Sequence, residues 1–356
     1  MSRCRVVWVS TSLETRGGIS SFVRSMQQTP LWEAWGIQHV ATHRDGSVGV
    51  RLVAFVRGAV FVMWTLGARR PDVVHLHTAS YGSFARKSLL AWAASAAGSS
   101  VIIHVHGGEF HRFFARSPRI VRAYIRATLM RASTVIALGE TWAHRLHEIA
   151  PLARIMVVPN AVRPGTAVPQ PGPGEPVNVL FLGQVSDHKG AFSLIEAWGQ
   201  LPRTGPAGVN ARLVLAGDGA LDRARTLVGE LGLSDEVEVV GWVSPDRVLG
   251  LVRQAQVLAL PSRNEGQPMA VLEAMANGLC VVATAVGGLP DLVDEGCGVL
   301  VDSSDVPAFA QALRRVITDP AERASLGCNA LQRVRERFDV ELTWRKLDAL
   351  YQELAG

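Results

Sequence analysis

Apolar and polar positions follow two alternating patterns along the chain. Short apolar runs bounded by turn residues are followed by longer stretches in which apolar residues recur at helical spacing. This alternation is typical of βαβ units, and we therefore predict two doubly wound, Rossmann-like α/β domains built on parallel sheets. The predicted strands are 5–9, 73–77, 101–106, 134–138 and 155–158 in the first half, and 177–182, 212–216, 237–240, 257–260, 281–284 and 298–301 in the second.

A segment without either periodicity separates the two halves. Its sequence, RPGTAVPQPGPGEPV, is dominated by proline and glycine, which predicts a linker. Two domains also agree with the length of 356 residues, because single cores stop growing at roughly 250–300 residues. We predict a first domain at 1–163, the linker at 164–176 and a second domain at 177–337. A last helix at 338–356 is expected to dock, with its apolar face on the first domain.

Residues 52–67 are apolar enough to raise the question of a membrane span. The stretch is short and contains Arg57, whereas a span needs about 20 apolar residues. We therefore predict a buried helix that packs against a sheet. The first residues form only a short apolar run broken by polar residues, so we expect a first strand there and no export signal.

The four cysteines are too scattered to indicate a zinc site or a disulfide framework. Cys4, Cys280, Cys297 and Cys328 form no CxxC pair and have no histidine at ligand spacing. A reducing, cytoplasmic location is the expectation that fits this usage.

The net charge of +5 conceals an uneven distribution of charge. Residues 1–170 contain 20 Lys/Arg and 7 Asp/Glu, and residues 171–356 contain 16 and 24. We expect the basic half to attract an anionic partner. Residues 110–131 interleave arginines with aromatic residues, which suits either an anionic membrane surface or ligand, or a helix whose arginines are merely solvated.

Residues 260–293, LPSRNEGQPMAVLEAMANGLCVVATAVGGLPDLV, are the segment that carries the most chemical information. Gly266 and Pro268 predict a turn after a strand, and 269–276 predicts a helix. The first N–H groups of that helix would lie at the carboxyl edge of a parallel sheet, where open α/β folds bind ligands.

Two carboxylates flank the start of this predicted helix. Glu265 and Glu273 are eight positions apart, which corresponds to about 12 Å along a helix. They could accept hydrogen bonds from hydroxyls at opposite ends of a long ligand; alternatively, Glu265 caps the helix and Glu273 is solvated.

The same segment resembles the signature of the retaining glycosyltransferases of family 4, which have the GT-B fold. Pro-Ser, Glu-Gly-x-Pro, Leu-Glu-Ala and Gly-Gly-Leu-Pro occur in order and at the family's spacing. The resemblance implies two Rossmann-like domains that face each other across a cleft. It also implies that Glu265 faces the donor sugar as a catalytic residue and that Glu273 binds the ribose hydroxyls.

The resemblance extends to the loop FLGQVSDHKG at 181–190. In the family this loop binds phosphate, so Lys189 is expected to contact the donor diphosphate. Gln184 stands where the family usually has arginine. Three alternatives stay open: Lys189 and backbone N–H groups suffice, an arginine elsewhere substitutes, or donor binding is weak.

Other glycine-containing loops complete the donor site that the resemblance implies. The loops AGDG and VGWV would border the nucleotide base, and TRGGIS would lie under the donor phosphates and beside the acceptor. The predicted donor-binding residues are Gly17, Gly18, Gly183, Gln184, Lys189, Gly217, Trp242, Val243, Gly266, Gln267, Pro268, Met269 and Glu273.

A second catalytic candidate is a histidine in the first domain. His104 and His106 end a predicted strand on one face, and the resemblance assigns His106 to the transferred sugar. His104 and Glu109 are candidate supporters, while His75 and His77 are interpreted as structural.

The resemblance implies retaining transfer of a sugar from a UDP- or GDP-sugar to a glycan or lipid-linked acceptor, in polysaccharide or glycoconjugate synthesis. It implies no metal or other cofactor, and no nucleic-acid module is recognised. We expect a cytoplasmic enzyme that binds the inner face of the membrane through 110–131. The alternatives are a nucleotide-sugar 2-epimerase of the same fold and a catalytically inactive partner subunit, which Gln184 would suit.

Overall fold

The computed structural model describes residues 5–202, 208–302 and 305–356, and these form two compact units. The first unit contains the described residues up to Ala161 together with Val340–Gly356, and the second contains Val162–Asp339. Cys4 lies outside the described residues, and Cys280, Cys297 and Cys328 are free thiols.

The elements of the first unit alternate between strand and helix. In chain order they are β1 (Val6–Ser10), α1 (Gly18–Gln27), α2 (Pro30–Ala34), β2 (Gln38–Ala41), α3 (Val48–Ala68), β3 (Val73–Thr78), α4 (Gly82–Ala96), β4 (Ser100–Val105), α5 (Phe110–Arg116), α6 (Arg119–Arg131), β5 (Thr134–Ala137), α7 (Glu140–Ile149) and β6 (Ile155–Val157).

The second unit repeats this alternation. Its elements are β7 (Val177–Leu182), α8 (Ala191–Gly199), β8 (Ala211–Ala216), α9 (Leu221–Glu230), β9 (Val237–Gly241), α10 (Pro245–Gln254), β10 (Val257–Leu260), α11 (Met269–Ala276), β11 (Cys280–Thr284), α12 (Leu289–Leu292), β12 (Gly298–Val301), α13 (Val306–Thr318) and α14 (Pro320–Arg333). A π-helical turn, Val334–Phe338, follows, and α15 (Val340–Ala355) then belongs to the first unit.

Both sheets have six strands and are parallel throughout the described pairings. The first has the order β2-β1-β3-β4-β5-β6 and the second β12-β11-β10-β7-β8-β9. The second is the Rossmann order, and the first resembles the flavodoxin-like order. The predicted fold class is thus confirmed, and each predicted strand is present to within one residue at either end. The prediction missed β2, because four residues that are mostly half-buried give too weak a pattern.

The first sheet is covered by helices on both faces because its central strands are apolar on both. In β1, Val7 and Val9 belong to one buried cluster, and Val6 and Trp8 belong to the other. The first cluster packs under α3, α4, α6 and α7, and the second under α1, α2 and α15. Tyr351 of α15 is fully buried there, and its hydroxyl accepts a hydrogen bond of 2.8 Å from Trp8 Nε1.

The boundaries between the units differ from the predicted ones. Residues 164–176 are part of the second unit rather than a separate linker, since Gly165 N donates to Ala276 O at 2.8 Å and Val168 N donates to Asn277 O at 2.9 Å. Backbone hydrogen bonds therefore hold a proline-rich segment that has no periodicity of its own. The C-terminal residues 340–356 lie in the first unit.

The prediction that residues 52–67 form a buried helix is wrong. The segment lies in α3, which packs on the sheet through an inner stripe of buried residues, Gly58, Val62, Thr65 and Leu66, with the partly buried Ala59 and Phe61 beside them. The helix is 21 residues long, has a mean hydropathy of 1.6 over its most apolar window, and is long and apolar enough to cross a membrane by those two criteria. Only 17% of that window is buried.

Candidate functional site

The loops at the carboxyl edge of the second sheet are joined to one another by hydrogen bonds. Gly183 N, after β7, donates to Ala216 O at 3.1 Å, and Gly217 N, after β8, donates to Gly241 O at 2.7 Å. Strands β7 and β10 are neighbours, and the sheet order reverses between them. Open α/β sheets bind ligands in the crevice outside such a reversal point.

Lys189 and Glu265 meet at this reversal point. Lys189 Nζ lies 2.6 Å from Glu265 Oε1, and Ser262 Oγ donates to the same oxygen at 2.7 Å. Glu265 is 5% exposed, so its charge requires such partners. The Lys189 side chain is 28% exposed, and an ammonium has three donors. It can therefore hold Glu265 and still donate to a phosphate oxygen.

The Gly-Gly element of the signature fixes the backbone of Glu265. Gly288 N donates to Glu265 O at 3.1 Å. Gly287 has φ +57°, and a Cβ on it would lie 1.9 Å from Glu265 O. Only glycine fits this approach, because a side chain would clash with the carbonyl and would be strained at that φ. The Gly-Gly element of the signature therefore holds the backbone of its Glu-Gly-x-Pro element in place.

Helix α11 begins directly after this turn. Met269 is its first residue, and the N-cap residue Pro268 is extended and makes no side-chain hydrogen bond to the first turn. The first-turn N–H groups and the helix dipole favour a negative charge at this end. Gln267 is buried, Gly266 is half-buried, and Glu273 is half-buried on α11 itself.

The predicted base contacts lie at the ends of neighbouring strands. Gly217 follows β8, and Trp242 and Val243 follow β9. The Trp242 side chain is 54% exposed and Val243 is half-buried. An exposed indole at a strand end offers a flat surface on which a base can stack.

Gln184 is exposed in the loop after β7, and arginines lie close to that loop. Arg223 forms an ion pair with Asp187 at 2.7 Å. This hydrogen bond lowers the pKa of Asp187, and the charge of Arg263 contributes in the same direction. Arg263 N also donates to His188 O at 2.9 Å. Sequence reasoning missed Arg263 and Ser262, although both lie inside the quoted signature segment.

The first unit places its candidates at the carboxyl edge of its own sheet. Gly17 has φ +130° and precedes α1, and Gly18 is the first residue of that helix. His106 follows β4, and its Nε2 lies 3.0 Å from His77 Nδ1. Burial lowers the pKa of His106 to about 3, although a hydrogen bond with Asn160 acts in the opposite direction.

His77 and His106 belong to a cluster of four histidines. His75 Nε2 lies 3.3 Å from His104 Nδ1, and His75 Nδ1 lies 2.6 Å from the Tyr351 hydroxyl. Burial lowers the pKa of His75, His77 and His104 well below the usual value. The cluster is therefore neutral at pH 7. His75, His77 and His104 each have a ring nitrogen within 4.8 Å of the other two, a spacing that could bring three ligands to one cation.

A buried lysine lies near the same edge. Lys87 of α4 is 2% exposed, and its Nζ donates to Ser83 Oγ at 3.1 Å. Burial and the nearby charge of Arg86 lower the pKa of Lys87 to about 7. The positive charge of Lys87 also contributes to the lowered pKa values of His43 and His106. Sequence reasoning missed this lysine, which has no distinctive neighbours in the sequence.

The segment 110–131 is two helices, α5 and α6, rather than one continuous surface. Phe110 of α5 is 2% exposed, and Phe113 and Phe114 pack against the same core. The aromatics of α5 are therefore structural, while exposed arginines and Ile120 remain on the outer side of α6. Glu109 lies before α5, and its carboxylate is 3.7 Å from Arg112.

Comparison with known proteins agrees with this architecture and these motifs. The model described as "Glycosyl transferases group 1" matches residues 167–333, and the model "Glycosyl transferase 4-like domain" matches residues 7–161. The chain belongs to the family 4 type of GT-B glycosyltransferases. The two matched ranges cover most of both units.

Individual relatives give the same assignment. The Escherichia coli K12 protein WcaL, whose name describes a colanic acid biosynthesis glycosyltransferase, is 30% identical over 69% of this chain and 63% of its own length. The chain spans less than half the length of the next curated relatives.

Solved structures share the fold along nearly the whole chain. The sucrose-phosphate synthase of Thermosynechococcus elongatus has a TM-score of 0.78 at 21% identity, covering 98% of both chains. The Anabaena protein HepE, solved with UDP and glucose, has a TM-score of 0.74 at 17% identity, covering 98% of this chain and 99% of its own. At these identities, the likeness concerns the fold.

Proposed function

We propose that this glycosyltransferase transfers a sugar from a nucleotide diphosphate sugar to a glycan or lipid-linked acceptor. The observation that carries the proposal is the Lys189–Glu265 pair at the reversal point of the second sheet, next to the start of α11. A cation and a helix N-terminus suit a diphosphate, and a carboxylate beside them suits sugar hydroxyls.

A uridine or guanosine diphosphate sugar is the donor class that we propose. The exposed Trp242 and the loop at Gly217 provide a place for the base, and Glu273 provides an acceptor for ribose hydroxyls. UDP is favoured because the structural neighbour HepE was solved with UDP and glucose.

The transfer that we propose retains configuration and requires no metal. The acceptor oxygen bonds to the anomeric carbon on the face that the diphosphate leaves; the C–O bond electrons go to the diphosphate, which also accepts the acceptor's proton. Lys189 and the first N–H groups of α11 stabilise the departing charge. Glu265 and His106 are the residues that we assign to the transferred sugar.

An acceptor that carries a phosphate or another anionic group fits the first unit. Lys87 is buried with a pKa lowered to about 7, and its side chain donates to a neutral hydroxyl, Ser83 Oγ. An anionic group beside it would stabilise its protonated form. We propose a role in cell-surface polysaccharide or glycoconjugate synthesis, with the enzyme cytoplasmic and bound peripherally at the inner membrane face. The arginines within 110–131 support contact with anionic lipid.

A donor-hydrolysis and transfer assay tests this proposal. UDP- and GDP-sugars are incubated with the full chain in EDTA, with and without lipid phosphate acceptors, and the products are separated by mass. Transfer or slow release of nucleoside diphosphate that disappears in Glu265→Gln supports the proposal. Conversion of the donor sugar into its 2-epimer without an acceptor would instead establish an epimerase.

An inactive partner subunit is the second candidate, and Gln184 is the observation that favours it. Loss of the usual arginine removes one positive charge from the phosphate loop. Thermal denaturation with added nucleotides separates this candidate from an active enzyme, since a lost donor site would bind no nucleotide.

A further inference from the structure

We propose that helix α3 (Val48–Ala68) lies in the interface of an anionic membrane, with its outer apolar side inserted among the lipids. The helix has two apolar sides. The inner stripe, described above, packs on the sheet, whereas the outer residues are exposed. The exposed large apolar residues of α3 are Val48, Val50, Leu52, Val53, Val56, Val60, Met63 and Trp64.

The helical spacing of these residues produces a continuous outer stripe. Val53, Val56, Val60, Met63 and Trp64 recur at three- and four-residue intervals or adjacent to them, and are 50%, 50%, 64%, 52% and 50% exposed. Isolated exposed apolar residues are ordinary in soluble proteins, but a contiguous apolar patch marks an interaction site.

The inner side of α3 shows that the helix is held parallel to the sheet surface. Gly58 allows this contact, because a Cβ on it would lie 2.5 Å from Ala41 O of β2. The helix also contacts α4. A helix anchored in this way along one side lies on a membrane rather than crossing it, with its apolar side buried at the boundary of head groups and acyl chains.

The charges around the stripe are mostly positive, which indicates that the membrane it contacts is anionic. Between residues 46 and 139 there are 12 Lys/Arg and two acidic residues, Asp72 and Glu109. Arg51, Arg57 and Arg69 of this region are exposed on or beside α3. Arg69 also lies over the Trp64 ring, 5.1 Å from its centroid. Apolar residues combined with many arginines and few carboxylates suit a bilayer that contains anionic lipid.

The basic helix α6 belongs to the same layer. Helix α4 contacts both α3 and α6, and all three pack on one face of the first sheet. Leu89 of α4 and Ile120 of α6 are 60% and 84% exposed. The surface formed by α3, α4 and α6 is therefore both apolar and basic. In a dimer formed through this surface, the arginines of one copy would face those of the other and repel them.

This inference rests on the proposed function for its biological setting, a lipid-linked acceptor, but its test requires no activity. The purified 356-residue chain is mixed with vesicles of phosphatidylcholine, alone or with phosphatidylglycerol, and bound protein is measured by sedimentation. We expect binding to the anionic vesicles and at least about tenfold weaker binding to the neutral ones.

Two triple variants test the stripe. Val56→Glu/Val60→Glu/Met63→Glu adds charge, and Val56→Ser/Val60→Ser/Met63→Ser removes apolar surface without adding charge. The control Leu152→Glu/Leu231→Glu/Leu249→Glu makes the same charge change at exposed leucines elsewhere. We expect both stripe variants to bind anionic vesicles at least about tenfold more weakly than the wild type. The control should lose vesicle affinity only through the electrostatic repulsion of its three added carboxylates. Circular dichroism melts verify that each variant is folded.

Several outcomes would overturn the inference. Wild-type protein that stays in the supernatant with both vesicles excludes it, as do stripe variants that bind like the control. A wild-type dimer that the stripe variants dissociate, without vesicle binding, would assign the stripe to a second copy. Resistance to carbonate extraction would indicate a spanning helix. If the protein transfers sugar but does not bind vesicles, this inference alone is refuted. If it binds vesicles but does not transfer sugar, the proposed function alone is refuted.

Discussion

The two units place charged or titratable side chains at the same edge of a parallel sheet, but they compensate those charges differently. In the second unit, Lys189 and Glu265 form a direct ion pair that Ser262 supports. In the first unit, histidines are kept neutral by burial, and Lys87 donates to a neutral hydroxyl. The charges of the second unit's site are thus balanced within the protein, whereas the first unit has a buried lysine whose protonated form an anionic ligand would stabilise.

Replacing Glu265 with glutamine is the strongest way to test the role assigned to the second unit. We expect turnover to fall by about 10²–10³-fold, because removing a preorganised electrostatic group typically costs that much. Steady-state assays with a UDP-sugar measure it. Glu295→Gln, at an exposed carboxylate of the same unit, is the matched control, and an equal loss in both variants would indicate a general effect on the fold.

His106→Ala tests whether the first unit also takes part in the chemistry. We expect about a 10²-fold loss of kcat with little change in donor affinity, since His106 is assigned to the transferred sugar. His147→Ala removes an exposed histidine of α7 and serves as the control. Full activity of His106→Ala would restrict the chemistry to the second unit.

Lys189→Ala sharpens the comparison through binding rather than turnover. Hydrogen bonds to charged groups contribute about 1.5–3 kcal/mol, so nucleoside diphosphate binding should weaken about 10–100-fold. Calorimetry with UDP and with uridine separates the contact with the diphosphate from the contacts with the nucleoside. Uridine lacks the diphosphate, so it should bind the wild-type protein and Lys189→Ala alike. The exposed Lys346 of α15, replaced by alanine, provides the control. An unchanged UDP affinity would remove Lys189 from the donor site.

Because the first unit keeps its histidines neutral by burial and the second balances its charges with an ion pair, we predict that acid destabilises the first unit more than the second. The buried His75, His77 and His104 have lowered pKa values, so the unfolded chain binds more protons than the folded one as pH falls below 6.5. Stability is therefore present above that pH and lost below it, by about 1.4 kcal/mol per pH unit for each histidine that stays neutral.

Hydrogen exchange measured between pH 7.5 and 5.5, corrected for the intrinsic rates, tests this difference. Amides of β3 and β4 should lose protection on acidification, and those of β7 and β10 should change less. Equal loss in both sheets would show that the histidine cluster does not control acid stability.

The smallest expected effect concerns Gln184. Arginine at this position should tighten nucleotide binding a few-fold, about 1 kcal/mol at a partly exposed site. Arg263→Ala should weaken binding by a similar factor if that arginine supplies the missing charge. An unchanged affinity in both variants would leave Lys189 and backbone N–H groups as sufficient.

How far the sequence predicted the molecule differs between the units for physical reasons. The segment around Glu265 was predictable because turn glycines, a proline and a helix start occupy consecutive positions. Lys87 was not, because its significance comes from burial beside residues distant in the sequence. Helix α3 was misjudged because an apolar side chain in lipid and one in a protein core give the same sequence pattern, and only the exposed fraction distinguishes them.

The roles of Glu265, Lys189 and His106 stay predictions. Their positions at the sheet edges agree with those roles, since each follows a strand where open α/β folds bind ligands.

The central claim is that the second unit binds a nucleotide sugar, and thermal denaturation with added nucleotides tests it most directly. The wild-type chain and the Lys189→Ala variant are each melted with UDP, GDP, ADP and their sugar conjugates, with EDTA present throughout. We predict that one diphosphate series raises the Tm of the wild-type protein, by the mass-action term RT ln(1 + [L]/Kd), and shifts Lys189→Ala much less. No shift with any nucleotide, or equal shifts in both proteins, would contradict the claim.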